Sequence, residues 1–279
     1  VIPNAAADVG RGTPLLDALD RLCWQLSRIE GAPPQEILSS GIFDDCVALA
    51  CQIGCAAPEG SGGADLTAEP GVKKRLGFAR GILLKLGVLY ETQAALAAID
   101  GRKLSGGYIA DVSAAAVREG QGLGLGPDSC VLFIGCGPYP TSAMGIADAY
   151  GCRVECLDCD PYAAILGERV VRASGLNDRI NVALGEGSEA EVSRYSHIWI
   201  AGLVPDKEAL LNRLGDGAAA GLRVLARYGN GFKWVFNYGL RTARLEGWRV
   251  ERRESGVIYD WMELSSYGVK ALARSPRTE

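Results

Sequence analysis

The segment VLFIGCGPYPTSA, residues 131–143, contains the residues best suited to ligand binding. An apolar run typical of a buried strand ends at Gly135, and Gly137 completes a G-x-G turn before a helix. Glycine at these positions lets the backbone approach a ligand to contact distance, where a Cβ atom would intrude. A lone G-x-G is also compatible with a simple strand-to-helix turn, so the interpretation needs support from a second element.

The next predicted strand, within VECLDCDP, supplies that support. It ends at Asp158, about 20 residues after the turn, where a carboxylate can accept hydrogen bonds from ribose hydroxyl groups. Pro138 and Pro140 remove backbone donors from the turn, which disfavours a cradle for pyrophosphate. S-adenosylmethionine contains no phosphate, so the pattern favours it over NAD, with a purely structural turn as the remaining alternative.

Further strands are predicted over residues 180–184, 197–202 and 224–229. Because ligands in open α/β sheets bind outside the carboxyl ends of the strands, the cofactor site is expected there. His197, the only histidine, lies within a buried strand run, which favours a supporting role in the core over a catalytic base. The predicted cofactor-binding residues are Gly135, Cys136, Gly137, Pro138, Tyr139, Asp158, Cys159, Asp160, Gly185, Ala201, Gly202 and Arg227.

Helices and strands are distributed unevenly along the chain. Residues 14–57 and 72–100 have helical periodicity around a polar loop, and a short helix is predicted over 108–119. Short apolar strands then alternate with helices, which predicts a parallel sheet, and 248–264 resembles a final antiparallel pair. The predicted fold is α/β: a helical N-terminal domain, residues 1–128, precedes a Rossmann-type class I transferase domain, residues 129–279.

Composition narrows the functional classes. The chain has 279 residues, 48% of them hydrophobic, and a formal net charge of −4, so it lacks the positive field expected of a protein that binds duplex nucleic acid. The sequence contains no run of 18 uncharged apolar residues, which predicts that the protein has no membrane partner. No secretory signal is visible, so we expect that the protein is not exported. The expectation is a cytoplasmic protein with small-molecule substrates and a homodimer as a candidate assembly.

The nine cysteines are odd in number and irregularly spaced, which predicts reduced thiols. Cys46, Cys51 and Cys55 approach the spacing of an iron–sulfur run, but helical geometry also places such residues along one apolar stripe. Buried cysteine behaves as a small hydrophobe, so core thiols are favoured over a metal site. Cys156 and Cys159 lie at a strand end with poor zinc geometry, and no bound metal is predicted.

Several of these motifs together resemble the nicotianamine synthase family, in particular its bacterial members that build opine metallophores such as staphylopine. The resemblance runs from about Tyr108 to Tyr238 and includes VLFIGCGPYPTSA, LDCDPYA, SHIWIAGLVPDK and RYGNGFKWVFNY. The phrases GPYP and RYGNGFKWVFNY are the distinctive ones. The N-terminal hundred residues match only in being helical.

The resemblance implies an unusual use of S-adenosylmethionine. In this family an amine attacks Cγ of the 3-amino-3-carboxypropyl group and methylthioadenosine leaves, whereas methyltransferases present the methyl group. By position, Glu119 matches the family glutamate that accepts the proton of the amine; the alternative is a surface charge at a helix end. Tyr108 matches an aromatic residue at the entrance. Arg227 and Tyr228 are expected to hold the carboxylate of the aminobutyrate group.

Two departures bear on the acceptor. An aspartate–asparagine pair follows the family tyrosine, but here Tyr108 is followed by Ile-Ala-Asp, and the polar serine–serine–threonine after strand four is replaced by Ala201-Gly202-Leu203. Both changes remove polar groups from the region expected to receive a second amino acid. They favour cyclisation of S-adenosylmethionine to azetidine-2-carboxylic acid, with Tyr139 or Tyr228 near the sulfonium.

Other functions remain open on the sequence alone. The first alternative is transfer to an external amino acid such as histidine, and a lesser one is small-molecule methylation. An inactive Rossmann module that serves as a partner surface is compatible with the same glycine turn.

Overall fold

The computed structural model describes residues 14–39, 41–55, 69–102 and 107–268. The described residues form two compact units. The first comprises those up to Leu89 together with Tyr228–Gly239 and Ser255–Asp260. The second comprises Tyr90–Arg227, Leu240–Glu254 and the residues from Trp261 onward. The boundary predicted between residues 128 and 129 falls inside the second unit, because the helix that precedes it packs closely against the first helix of the α/β region.

Four helices begin the chain, and the last of them continues from the first unit into the second. They are α1 Pro14–Ile29, α2 Pro34–Ser39, α3 Ile42–Cys55 and α4 Pro70–Ile99. The helical prediction for this region is confirmed. Pro14 occupies the first helical position as expected, since its fixed φ suits a helix start and its missing N–H has no partner there; the predicted N-cap, Thr13, lies outside the described residues.

The core of the first unit lies between α1 and α3. Leu22 and Leu26 of α1 are fully buried, as is Cys46 of α3, which confirms the prediction of a core thiol there. Each large apolar side chain removed from water contributes roughly 1.5–3 kcal/mol. Cys51 is partly buried, and the side chain of Cys55 lies outside the described residues.

The distinctive segment RYGNGFKWVFNY owes much of its composition to local packing in the first unit. A Cβ atom at Gly229 would lie 2.8 Å from the carbonyl oxygen of Asn237, so the chain passes too closely for any other residue. The Trp234 indole donates to the carbonyl of Gly229 at 3.0 Å, and Lys233 forms a buried ion pair with Asp260. This motif therefore builds a rigid loop after the fifth strand.

The second unit contains helix α5 Gly107–Gly122 and a seven-stranded sheet. The strands occur in the order β3-β2-β1-β4-β5-β7-β6, and β1 to β5 pair in parallel. The predicted alternation of strands and helices is confirmed. The elements are β1 Cys130–Ile134, α6 Thr141–Tyr150, β2 Arg153–Asp158, α7 Pro161–Ala173, β3 Ile180–Leu184, β4 His197–Ile200, α8 Lys207–Gly215, β5 Arg223–Tyr228, β6 Trp248–Ser255 and β7 Asp260–Ser266.

The central parallel strands β1, β4 and β5 are buried on both faces, which explains why they read as nearly continuous apolar runs. Phe133 of β1 stacks on Trp199 of β4 with ring centroids 5.9 Å apart, and both are buried. His197 is also buried, and burial lowers the pKa of its imidazole, so the prediction of a core position is confirmed. The parallel register brings the ends of β1, β2 and β4 to one edge of the sheet.

Helix α4 is long and apolar enough to cross a membrane by length and composition, with a mean hydropathy of 1.4 over 18 residues. Sequence inspection missed it because Lys85 and Glu91 interrupt the apolar run. The core helix of a soluble protein meets the same criterion, so this is weak evidence for a membrane. The absence of a membrane partner stays a prediction.

Candidate active site

In the glycine turn at the end of β1, the backbone conformation favours glycine at two positions. Gly135 has φ +80° and Gly137 has φ +70°, in the left-handed region where a Cβ atom is strained. A Cβ atom at Gly135 would lie 2.7 Å from Cγ2 of Val204, and one at Gly137 would lie 2.6 Å from Oε2 of Glu91. The glycines are thus required by the conformation and by protein neighbours, in addition to any ligand.

Asp158, the last residue of β2, lies beside this turn as predicted. Its Oδ2 accepts a hydrogen bond from the backbone N–H of Gly137 at 2.8 Å, and its Oδ1 accepts one from the N–H of Asp160 at 3.1 Å. Each carboxylate oxygen has a second lone pair, so acceptor capacity remains for ribose hydroxyl groups. Asp160 itself accepts from the N–H of Tyr162 at 2.9 Å and caps α7, which gives it a structural task at the same edge.

Glu91 of α4 is a site residue that the sequence analysis missed. Its side chain is partly buried and its carboxyl group lies against Gly137. Burial, followed by the negative charge of Asp158, raises the pKa of Glu91 from 4.5 to about 8. A signal was present in the sequence, because Glu91 is the only charged residue in the 14-residue stretch between Lys85 and Asp100.

Glu119 and Arg227 form a buried ion pair instead of acting separately. The exposed fractions of the two residues are 3% and 5%, so the interpretation of Glu119 as a surface charge is wrong. Arg227 Nε and Nη2 donate to Oε2 of Glu119 at 2.9 and 2.7 Å, and Nη1 donates to Oγ of Ser142 at 2.9 Å. This pair links α5, α6 and β5. The predicted roles of Glu119 as proton acceptor and Arg227 as carboxylate ligand stay predictions.

The three tyrosines predicted near the ligand lie in different surroundings. Tyr108 of α5 meets Tyr90, the neighbour of Glu91, edge to face with centroids 5.9 Å apart. Tyr139 packs in an apolar cluster with residues of α4 and α7, among them Ala95, and burial raises the pKa of its phenol. Tyr228 ends β5, is buried, and belongs to the first compact unit. The roles predicted for the three stay predictions.

Hydrogen bonds with buried groups fix the conformation of the loop after β4. Ala201 donates its N–H to the carbonyl of Ile134 at 3.1 Å, which fixes the loop to the end of β1. Lys207 is fully buried and its Nζ donates to the carbonyls of Gly202 and Val204 at 2.8 and 2.6 Å. Sequence reasoning did not identify Lys207, because the pattern alone does not show which carbonyls a lysine meets.

The remaining predicted residues lie at the same edge of the sheet. Gly185 follows β3 and donates its N–H to the carbonyl of Asp158 at 3.0 Å. Cys136 is buried within the turn and hydrogen-bonds to Cys156, and this hydrogen bond, followed by burial, raises the pKa of its thiol. Cys159 is exposed. Within the described ranges, no three histidine, cysteine, aspartate or glutamate side chains converge on a point where a metal ion could bind.

Comparisons with known proteins identify relatives of similar sequence. The chain is 35% identical over 165 residues to L-histidine 2-aminobutanoyltransferase of Pseudomonas aeruginosa, a match that covers 58% of this chain and 63% of that protein. It is 32% identical over 130 residues to the protein of the same name from Yersinia pestis, covering 47% and 49%. The chain thus spans less than two thirds of the length of the curated relatives it matches. No family model matches it.

Solved structures extend the comparison to nearly the whole fold. The crystal structure of MtNAS, a nicotianamine synthase, in complex with MTA and tNA has a TM-score of 0.78 at 16% identity, covering 92% of this chain and 99% of that one. A mutant of MtNAS in complex with S-adenosylmethionine has a TM-score of 0.76 at 17% identity. The chain therefore has the fold of nicotianamine synthase, and the resemblance to the nicotianamine synthase-like proteins expected from its motifs is confirmed.

Proposed function

We propose that this chain is an enzyme that uses S-adenosylmethionine as a substrate, in which an amine attacks Cγ of the 3-amino-3-carboxypropyl group and methylthioadenosine leaves. The observation that carries the proposal is the carboxyl group of Glu91 set against Gly137 of the cofactor turn. A methyltransferase-type turn binds the nucleoside, whereas an adjacent carboxyl group with a pKa of about 8 is suited to accepting a proton near neutral pH.

The residues at the carboxyl ends of the strands have separate roles in the proposed reaction. The turn at Gly135 and Gly137 and the carboxylate of Asp158 bind the adenosyl moiety. In its ionised form, Glu91 takes a proton from the acceptor ammonium and makes the amine nucleophilic. The nitrogen lone pair then forms a bond to Cγ, the C–S bond breaks, and its electron pair returns to sulfur, which leaves as a neutral thioether. The product is a secondary ammonium ion, and the proton stays on Glu91.

For the acceptor, we favour an external amino acid of the histidine class. The curated relatives are named L-histidine 2-aminobutanoyltransferase, and the 35% identity covers more than half of this chain. The comparisons thus support transfer to an acceptor more than the cyclisation that the sequence favours. The loop after β4 is ordered by Lys207, so it offers fixed backbone groups even where side chains are apolar.

Cyclisation is the second candidate, and one observation favours it. Ala201, Gly202 and Leu203 give the loop after β4 no polar side chain with which to bind the polar end of an acceptor. A site that cannot hydrogen-bond to an acceptor binds it weakly. In that case the α-amine of S-adenosylmethionine would attack its own Cγ, and azetidine-2-carboxylic acid would form with the same leaving group.

The test is mass spectrometry of the products formed from S-adenosylmethionine, with and without L-histidine. We expect methylthioadenosine to appear at a rate that depends on histidine, with an adduct of histidine and the aminobutyrate group. Acceptor-independent azetidine-2-carboxylic acid would support the second candidate. Release of S-adenosylhomocysteine would identify a methyltransferase, and no product in either mixture would refute the proposed activity.

A pair of variants assigns the proton acceptor. Glu91→Gln should lower kcat by about 10²–10⁴, the range typical of a general base, with little effect on binding of S-adenosylmethionine. Glu168→Gln is the matched control, since Glu168 is an exposed glutamate on α7 that pairs with Arg172 across one helical turn. The Glu168 variant should keep full activity; full activity of the Glu91 variant would remove Glu91 from the mechanism.

A further inference from the structure

Two carboxyl groups approach the same glycine from different elements. Asp158, at the end of β2, accepts the N–H of Gly137 at 2.8 Å. Glu91, on α4, places Oε2 2.6 Å from where a Cβ atom on Gly137 would lie. The sequence separates these carboxyl groups by 67 positions, and only the fold brings them to one residue. Two acidic side chains therefore meet at the glycine turn that we propose binds the positively charged S-adenosylmethionine.

Two like charges at such a place do not ionise independently. Asp158 accepts two backbone N–H groups, from Gly137 and Asp160, an arrangement that suits an ionised carboxylate. Among the described residues none donates a comparable N–H to Glu91, and the nearby Asp158 disfavours a second negative charge. Near neutral pH Glu91 therefore keeps its proton before a ligand binds, because its pKa is about 8.

We propose that binding of the sulfonium expels the proton from Glu91, so that the substrate itself creates the base that the reaction needs. The inference rests on the proposed function, because it takes S-adenosylmethionine as the ligand. A positive charge within about 4–6 Å favours the ionised form of a carboxyl group, and it offsets the repulsion from Asp158. Neutral thioethers with the same adenosyl and amino acid parts supply no such charge.

With this assignment, every proton in one turnover is accounted for. The proton of the resting Glu91 carboxyl group goes to solvent when the sulfonium binds. Glu91 then takes a proton from the acceptor ammonium, and breaking the C–S bond converts the sulfonium into a neutral thioether. The positive charge has left the sulfur, so Glu91 ends the turnover protonated, as it began. No separate step is needed to restore the resting state.

Other titratable groups surround this pair but do not replace it. In the glycine turn, Cys136 is buried with a raised pKa and hydrogen-bonds to Cys156 of β2, so it stays a neutral thiol. Cys159, at the end of β2, also has a raised pKa, from burial and from Asp158. On α5, Tyr108 packs against Tyr90, the neighbour of Glu91. Burial and Asp158 are the effects that set the titration of Glu91.

The test is the number of protons released on binding, measured by isothermal titration calorimetry of the full chain at pH 7 in buffers of different ionisation enthalpy. If the sulfonium lowers the pKa by 1–3 from about 8, S-adenosylmethionine should release about 0.4–0.9 proton per site. S-adenosylhomocysteine should release about zero, because it differs by one methyl group and the positive charge. Their common amino acid arm cancels in the comparison.

Two variants show whether the released proton comes from Glu91, and each outcome either supports or contradicts the inference. Glu91→Gln should bind S-adenosylmethionine without releasing a proton, whereas the surface control Glu168→Gln should release as many as the unmodified chain. Equal release with both ligands, or release that persists in Glu91→Gln, would overturn this inference and leave the proposed activity intact. Failure of both ligands to bind would overturn the proposed function and the inference together. The ligand comparison needs no variant, so it stands even if Glu91→Gln does not fold.

Discussion

Replacing Glu91 by glutamine should stabilise the folded chain, and increasingly so as the pH rises. The unfolded chain ionises Glu91 near pH 4.5, whereas burial and Asp158 hold the pKa of the folded state at about 8. Between these values the folded state binds one more proton than the unfolded state, so raising the pH costs stability. Glutamine cannot ionise, so that cost disappears in Glu91→Gln.

The magnitude follows from the two pKa values. Over the whole range from 4.5 to about 8, the ionisation cost reaches about 5 kcal/mol. Between pH 5.5 and pH 8.5 the difference in unfolding free energy between variant and unmodified chain should therefore grow by about 3 kcal/mol. This is an upper value, because Glu91 is only partly buried and solvent screens part of its interaction with Asp158.

Urea unfolding at the two pH values measures this quantity. Fluorescence reports on the second unit through Trp199, Trp248 and Trp261, and the difference between variant and unmodified chain cancels every other group that titrates. The control Glu168→Gln should change stability by about 0.3–0.5 kcal/mol, the usual contribution of an i,i+4 pair, equally at both pH values. A Glu91→Gln difference that stays constant with pH would refute the argument that the fold keeps this carboxyl group protonated.

Three further substitutions test the neighbouring contacts. Gly137→Ala should weaken binding of S-adenosylmethionine in calorimetry and cost about 1–2 kcal/mol of stability, since its φ is +70° and the new Cβ would meet Glu91; unchanged binding would contradict this. Lys207→Met should raise KM for S-adenosylmethionine more than it lowers kcat in steady-state assays, because two loop carbonyls lose a buried donor. Lys207→Arg should recover part of the loss. Arg227→Met should cost about 3–5 kcal/mol in urea unfolding by leaving Glu119 buried without this partner, whereas a small cost would show that water reaches the carboxylate.

The elements of this fold were accessible to sequence reasoning because their signals are local. The apolar runs of β1, β2 and β4 and the helical periods between them identify a parallel sheet, and its topology places the strand ends at one edge. Gly137 and Asp158 were predicted for the same reason, since each lies directly at a strand end. Local signals thus suffice for the part of the site that we propose binds the adenosyl group.

The carboxyl group that we propose as the base, that of Glu91, was not predicted from such local signals. Glu91 lies in the middle of a long helix, where a lone glutamate resembles any solvated helical charge, and its contact with Gly137 spans 46 positions of sequence. Glu119 was chosen by its place in a motif, yet the fold pairs it with Arg227, 108 positions away. Whether a carboxylate is a base or a structural partner depends on what faces it in three dimensions.

The two glutamates, Glu119 and Glu91, differ in the charge of the group that faces each of them. Glu119 is buried beside a guanidinium that offers it two hydrogen bonds, so its charge is compensated and fixed. Glu91 lies near a second carboxylate, which opposes its charge. The carboxyl group of Glu91, whose charge is opposed, is the one that we propose takes up a proton and releases it when a cation binds. The same residue type therefore provides a structural contact at Glu119 and, in the proposed mechanism, the proton acceptor at Glu91.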